Sequence, residues 1–331
     1  MSTVKLVIQE SPGRPPRVTL ETITTELPIP DEDESSGLPA SVLQYERQRR
    51  KVQHAQCHGA AVPSLDVIHV DESMVVVNKP PRVLTVPGVH SRDSLLQSVH
   101  TQYAVDTPNT SHLVAHRLDM DTSGLVVFGR HREATRQLQA LFREDRIHKV
   151  YQALLVEHFP YDEVLLDLPM HKDARHPPFW RVATPSSVAY NTDAVQALQK
   201  HGYRKLMDRS PRPSQTILKV LERSRRDNLP FTRVQLQPLT GRTHQLRVHC
   251  AGLGFWIVGD PTYSLGGEGA PQGGLAGCID PLDGACSLEE QQAWLEHHRP
   301  NDARMCLHAT KLEFRHPVTN EELQFEVAPD F

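Results

Sequence analysis

Short apolar runs separated by polar and proline-marked turns carry most of the structural signal in this chain. Met74–Val77 is a β-branched run that stops at Asn78-Lys79-Pro80-Pro81, where the prolines force an extended turn, so it reads as a buried strand. Gly124–Phe128 (GLVVF) is a second strand of this kind. In HREATRQLQALF, Ala134, Leu138, Leu141 and Phe142 fall at i, i+4, i+7 and i+8, the stripe of an amphipathic helix. Tyr151–Val156, Thr216–Leu221 and Phe231–Leu236 read as further strands, and Leu307–Phe314 and Leu323–Val327 as closing ones. In the Phe231 strand, Val234 and Leu236 alternate with Arg233, Gln235 and Gln237, which predicts one buried face and one polar, basic face. Leu246, Cys250 and Leu253 make an i, i+4, i+7 stripe, so a helix is expected to start at Thr243 as N-cap and to end at Gly252 or Gly254.

The first 64 residues follow neither period. They hold prolines at 12, 15, 16, 28, 30 and 39 and the acidic run Asp31–Glu34, a composition that buries too little apolar area to offset its ordering entropy. A mostly disordered extension is expected there, with a short polar helix at Val42–Gln53. With 7 basic and 8 acidic residues the segment does not resemble a mitochondrial presequence. Two later stretches read as insertions: 184–213, with the helical centre AVQALQK, and 264–303, which opens on SLGGEGAPQGGLAG and contains the helical SLEEQQAWLEHH. Their glycines follow no phosphate-loop spacing.

Composition narrows the class. The 331 residues carry 36 Lys+Arg against 40 Asp+Glu, a net charge of −4 that by itself does not suggest nucleic acid. Its distribution changes that picture, because residues 200–250 hold 12 basic and 3 acidic residues and residues 251–331 hold 4 and 13. No run is long and apolar enough to cross a bilayer, and Met1–Glu10 lacks a secretory pattern, so a soluble, cytoplasmic protein is expected. Cys57, Cys250, Cys278, Cys286 and Cys306 are odd in number and form no CxxC pair, which argues against a disulfide framework and a zinc site.

Three segments place reactive groups at element ends. The first is His116-Arg117-Leu118-Asp119-Met120-Asp121-Thr122-Ser123-Gly124, a loop feeding the GLVVF strand, a good place to hold a reactive side chain. Asp119 and Asp121 could form an acid/base pair of the glycosidase kind, although two residues apart in an extended loop they point in opposite directions. His116, Ser123 and Asp119 could suggest a hydrolase triad, but no GxSxG elbow exists in the chain. A plain turn capped by Asp and Thr is the structural alternative. The second segment, Thr240-Gly241-Arg242-Thr243-His244-Gln245-Leu246-Arg247, puts a helix start and its positive dipole end beside Arg242, a favourable place for an anion such as an RNA phosphate. Arg247, one turn further in, must either reach water or find a carboxylate. The third runs from Phe142 to Tyr151, where helix gives way to strand; by local pattern Tyr151 is a core tyrosine.

Together, HRLDMDTSGLVVF, the F…K-x-Y junction at Tyr151, LTGRTHQLRVH…GLGFWIVGDPTY and LHATKLEFRHPVTNEELQFEVAP resemble the RluA-type pseudouridine synthases, with the RluA branch as the nearest likeness. The resemblance spans about residues 65–331 and implies an α+β catalytic domain: a long, mainly antiparallel mixed sheet flanked by helices, with an RNA-binding cleft. It implies isomerisation of uridine to pseudouridine in RNA, with no cofactor, no metal and a monomeric enzyme. It makes Asp119 the catalytic carboxylate, Arg247 its counter-ion and Tyr151 the residue that packs on the target base. Arg117 matches the arginine that fills the gap left by the extruded nucleotide, and His116, Lys149, Arg242 and Thr243 are the remaining substrate-binding candidates. No S4-like RNA-binding domain is recognisable ahead of residue 65, which favours small stem-loops, as in tRNA, over large ribosomal substrates, though rRNA stays open. The alternative is an inactive RNA-binding or scaffold protein on the same fold, disfavoured because binding alone has no need of Asp119, Tyr151 and Arg247 together.

Overall fold

A computed structural model of the chain describes residues 4–22, 64–88, 93–104, 109–173, 178–200, 210–226, 229–264, 279–280 and 304–331. In chain order the elements are β1 (Val4–Ser11), β2 (Arg14–Thr22), β3 (Asp66–Val70), β4 (Met74–Lys79), α1 (Leu95–Tyr103), a 3-10 turn (Thr110–Leu113), β5 (Ser123–Gly129), α2 (Arg132–Arg143) and β6 (His148–Val156). They continue with β7 (Glu163–Asp167), β8 (Met170–Lys172), β9 (Trp180–Val182), α3 (Pro185–Lys200), β10 (Gln215–Arg226), β11 (Leu229–Pro238), α4 (Gln245–Gly252), β12 (Ile279–Asp280), β13 (Leu307–Arg315) and β14 (Glu322–Glu326). Every strand and helix expected within these residues is present. The helices expected at Val42–Gln53 and in SLEEQQAWLEHH lie outside the described residues, as does most of the 264–303 insertion. The chain divides into two compact units, one from residues 56–153, 235–237 and 304–331, the other from 1–55, 154–234 and 238–303, so the region expected as one domain from residue 65 contributes to both.

The first of these units is organised by β4 and β5, which pair antiparallel from Met74↔Gly129 to Lys79↔Gly124. Val75, Val77, Val126 and Phe128 face Leu95, Leu96 and Val99 of α1, together with Leu113 and Leu118. Met74, Val76, Leu125 and Val127 face Leu138 and Leu141 of α2, with Leu312, Phe314 and Phe325. Burial on both faces is why these strands read as unbroken apolar runs. The strand order is β6-β13-β5-β4-β3, with β14 also paired to β13. β13 runs parallel to β5 at His308↔Ser123 and Ala309↔Gly124 and antiparallel to β6. Their approach is so close at Gly124, where φ is +107°, that a Cβ would lie 2.3 Å from the Ala309 oxygen; only glycine fits.

In the other unit the strand order is β12-β1-β2-β7-β10-β11, and β8 and β9 form a separate antiparallel ribbon. The N-terminal expectation is corrected here: residues 4–22 are an antiparallel hairpin, not a disordered tail, and β2 joins β7 in parallel at Arg17↔Leu165 and Val18↔Leu166. Leu6 pairs with Leu20 and Ile8 with Val18, and Leu6 and Val18 are buried, so the short segment does have an apolar face to bury. Pro15 and Pro16, which donate no ladder hydrogen bond, coincide with the register shift between Gln9 and Ser11 on β1, the place where a strand tolerates them. Of the 184–213 insertion, Pro185–Lys200 is the helix α3.

Candidate active site

The loop between the 3-10 turn and β5 is held at closely spaced points. Val114 bridges Phe128 on β5. His116 Nε2 accepts a hydrogen bond from the Val127 N–H at 3.0 Å, and its ring stacks on Phe142 at 4.2 Å between centroids. Burial, then the nearby Lys149 cation, push the His116 pKa down to about 3, so the ring is neutral with its proton on Nδ1. His116 was a substrate-binding candidate; the structure commits its Nε2 to the protein's own strand, where it covers an open edge of β5. Leu118 is anchored twice over, with its side chain in the core, its N–H donating to Thr85 Oγ1 at 3.3 Å and its carbonyl accepting from the same hydroxyl at 2.7 Å. Lys79 Nζ donates to the carbonyls of Met120, Val83 and Pro80, each at 2.8 Å, which uses all three ammonium protons.

Asp119 therefore lies between two residues whose backbones are fixed, Leu118 by Thr85 and Met120 by Lys79. This is the geometry by which a scaffold limits the movement of a reacting group. Lys79 is fully buried, and burial brings its pKa down to about 7 against the opposing pull of the Asp121 and Asp119 carboxylates. Arg117, by contrast, is exposed.

Tyr151 sits on β6 opposite Ala309 and packs against the cluster formed by Val75, Val77, Val126 and Phe128. Burial first, and the Asp119 charge second, raise its pKa well above the ordinary phenol value. A phenol held protonated can pack on a base or donate a hydrogen bond; it is poorly placed to act as a base. Lys149 is half-buried, its ammonium 6.0 Å from the Phe142 ring centroid, and burial lowers its pKa while Asp145 opposes the change.

The remaining candidates belong to the other unit. Helix α4 starts at Gln245, one turn position later than expected, and its N-cap is His244 in the left-handed region (φ 56°, ψ 18°), not Thr243, which is exposed. The reason is visible in Gln245, whose Oε1 accepts from the Arg242 N–H at 3.0 Å and from Thr240 Oγ1 at 2.8 Å, doing the work of a cap from inside the helix. Gln245 Nε2 donates to the Gln215 carbonyl and to Thr216 Oγ1, both at 2.9 Å, fastening the helix start to β10. Arg242 donates through Nε to the Pro213 carbonyl at 3.2 Å.

Arg247 is 4% exposed and has found its carboxylate: Nε donates to Asp260 Oδ2 at 2.8 Å and Nη2 to Asp260 Oδ1 at 2.7 Å. Asp260 is a partner of Arg247 that the sequence reading did not include. The signal was present in GDPTY, because an aspartate followed by backbone N–H groups in a turn is a ready acceptor: Thr262 N–H and Tyr263 N–H donate to Asp260 Oδ1 at 2.8 and 3.0 Å. Burial works to raise the Asp260 pKa, but Arg247 and these N–H groups outweigh it and hold the carboxyl below its ordinary value. The Arg247 guanidinium also stands 5.1 Å from the Tyr263 ring centroid, and Tyr263 Oη lies 2.7 Å from His244 Nδ1 and accepts from the Trp180 N–H at 3.1 Å. The eight candidates thus fall into two sets: His116, Arg117, Asp119, Lys149 and Tyr151 in the unit built on β4 and β5, and Arg242, Thr243 and Arg247 in the other.

Comparison with known proteins fits this architecture. The family model described as RNA pseudouridylate synthase matches residues 73–252. The chain is 34% identical over 271 residues to the dual-specificity RNA pseudouridine synthase RluA of Pasteurella multocida and 33% identical over 271 residues to that of Haemophilus influenzae, in each case across 81% of this chain and 95% of the relative. Among solved structures, human RNA pseudouridylate synthase domain containing 1 shares the fold with a TM-score of 0.56 at 23% identity, over 83% of this chain and 87% of that one. The chain therefore belongs to the RNA pseudouridylate synthases of the RluA type, isomerases that form pseudouridine in RNA.

Proposed function

We propose that Asp119 is the carboxylate that carries the isomerisation and that the substrate is a uridine in a tRNA or rRNA stem-loop. The observation that carries the first part is the double anchorage of its neighbours: Thr85 bonds both backbone groups of Leu118, and a fully buried Lys79 bonds the Met120 carbonyl. A loop that merely turned would have no use for a buried ammonium under its apex, since burying that charge is costly. In the reaction the N1–C1′ bond breaks, the uracil turns, C5 bonds to C1′, C5 loses its proton and N1 gains one, so no redox partner or group donor enters. Tyr151, kept as the neutral phenol, stacks on the target base, worth roughly 1–3 kcal/mol, of the same order as extrusion of a paired base. Arg117 occupies the gap that the base leaves. Arg247, oriented by its ion pair with Asp260, is required for turnover, and Arg242, Thr243 and Lys149 contact phosphate.

An RNA substrate is supported by the name of the RluA relatives together with the basic block at 200–250, and action on more than one kind of RNA by the dual specificity in that name. The experiment is a map of pseudouridines in tRNA and rRNA from cells lacking the protein, complemented with the wild-type or the Asp119→Ala gene. The expected result is loss of stem-loop sites that only the wild-type gene restores; restoration by Asp119→Ala, or unchanged tRNA and rRNA maps, would sink the proposal.

A further inference from the structure

Ser123 closes the loop that carries Asp119 and opens β5, and its hydroxyl belongs to a polar chain that the catalytic reading does not use. It is 2% exposed, and its Oγ lies 2.8 Å from His308 Nδ1 and accepts a hydrogen bond from Arg304 Nη2 at 2.9 Å. Arg304 is ion-paired through Nη1 to Asp330, and its guanidinium stands 5.5 Å from the Phe331 ring centroid. The parallel pairing His308↔Ser123 delivers Arg304, just ahead of β13, to the exit of the loop.

The bonding is directional. Burial, then the Arg304 charge, hold the His308 pKa at about 4 despite the opposing Asp330 carboxylate, so His308 is neutral and its Nδ1 accepts the Ser123 proton. Ser123 then donates to His308 at 2.8 Å, with the Leu307 carbonyl a longer second acceptor at 3.4 Å, and accepts from Arg304. The arrangement has a cost, for Arg304 Nε is buried without a hydrogen-bond partner, and an unsatisfied buried donor is destabilising. An apolar side chain at 304 would pack ahead of β13 without that cost. The guanidinium makes sense if its hydrogen bond to Ser123 does something that packing cannot.

We propose that Arg304, braced by Asp330, is a positioning residue for the isomerisation: by holding Ser123 Oγ it fixes the outgoing end of the Asp119 loop, as Thr85 and Lys79 fix its middle. The proposal rests on Asp119 as the catalytic carboxylate. The test uses the full-length chain carrying Arg304→Met, Arg304→Lys, Ser123→Ala, the Arg304→Met/Ser123→Ala pair, or Asp330→Asn, with tritium release from 5-tritiated uridine in RNA and backbone hydrogen exchange at residues 119–123 as readouts. Expected are a kcat about tenfold lower in Arg304→Met with KM within about twofold, partial recovery in Arg304→Lys, and no further loss when Ser123→Ala is added, the signature of coupled residues. Exchange at 119–123 should accelerate about tenfold while the melting temperature moves by less than about 4 °C. If Arg304→Met fails to fold, Asp330→Asn, altered at a mostly exposed carboxylate, should show the same kcat loss and faster exchange in weaker form. Wild-type kcat and exchange in Arg304→Met, or losses that multiply in the double variant, overturn the proposal. An active Asp119→Asn enzyme would instead overturn the Asp119 reading, and the exchange rates would still decide whether Arg304 orders the loop.

Discussion

Replacing Lys79 by methionine separates loop positioning from fold stability, because the two contributions of this lysine oppose each other. Its ammonium satisfies three carbonyls at 2.8 Å; removing it leaves each to find water or go unpaired, at about 1–3 kcal/mol apiece. The same substitution abolishes the cost of burying a charge. The distance between the ordinary lysine pKa of 10.5 and the value of about 7 here corresponds to about 5 kcal/mol against the charged form. These terms are of similar size, so Lys79→Met is expected to change unfolding free energy by no more than about 4 kcal/mol. Position does not cancel in this way: the Met120 carbonyl loses its tether beside Asp119, and a displacement of about 1 Å at a reacting group can cost about a hundredfold in rate. The expected result is a kcat reduced by at least about tenfold in a tritium-release assay, with a cooperative urea transition retained. Proton linkage gives a second readout. Between about pH 7 and 10.5 the unfolded chain still holds the Lys79 proton that the folded protein has released, so this group makes stability rise with pH across that window. Activity should fall as pH rises through about 7, where the folded protein releases this proton, since an amine has two protons for three carbonyls. Both trends should vanish in Lys79→Met. A variant with kcat within about twofold of wild type would refute the argument that this lysine positions Asp119.

Two further substitutions probe the other contacts. Tyr151→Phe retains the ring and loses a hydroxyl that burial and Asp119 keep protonated, so it should bind RNA nearly as wild type, while Tyr151→Ala should raise KM about tenfold through lost stacking; equal damage from both would contradict a packing role. Asp260→Asn removes the charge from a buried bidentate pair and should lower unfolding free energy by about 3–5 kcal/mol, read from the urea midpoint, and an unchanged midpoint would mean that Arg247 is held by other groups.

What the sequence made legible follows from how local each cause is. β4 and β5 were readable because burial on both faces leaves an uninterrupted apolar run, and α2 because its stripe repeats within twelve residues. The hairpin at Val4–Thr22 was lost in the average of a 64-residue segment rich in proline and acid, although Leu6, Ile8, Val18 and Leu20 alternate as a strand requires. The chemistry of Lys79 was illegible for a different reason. Asn78-Lys79-Pro80-Pro81 reads as a turn, and nothing local shows that carbonyls from positions 80, 83 and 120 converge on the ammonium. For Arg247 the demand for a carboxylate was legible but the part played by Asp260 was not, because Asp260 lies beyond the helix in a turn whose N–H groups share in holding it. That pairing also qualifies the basic block at 200–250, since an arginine 4% exposed and bonded to Asp260 adds little to the field felt by RNA.

The central claim is that Asp119, clamped between Leu118 and Met120, performs the isomerisation. The most direct measurement is tritium release from 5-tritiated uridine in RNA by purified Asp119→Asn protein, with RNA binding measured alongside. The account predicts no detectable release with binding retained within about threefold, since a carboxamide keeps the shape and loses the charge. Release at a rate near that of the wild-type enzyme would contradict it.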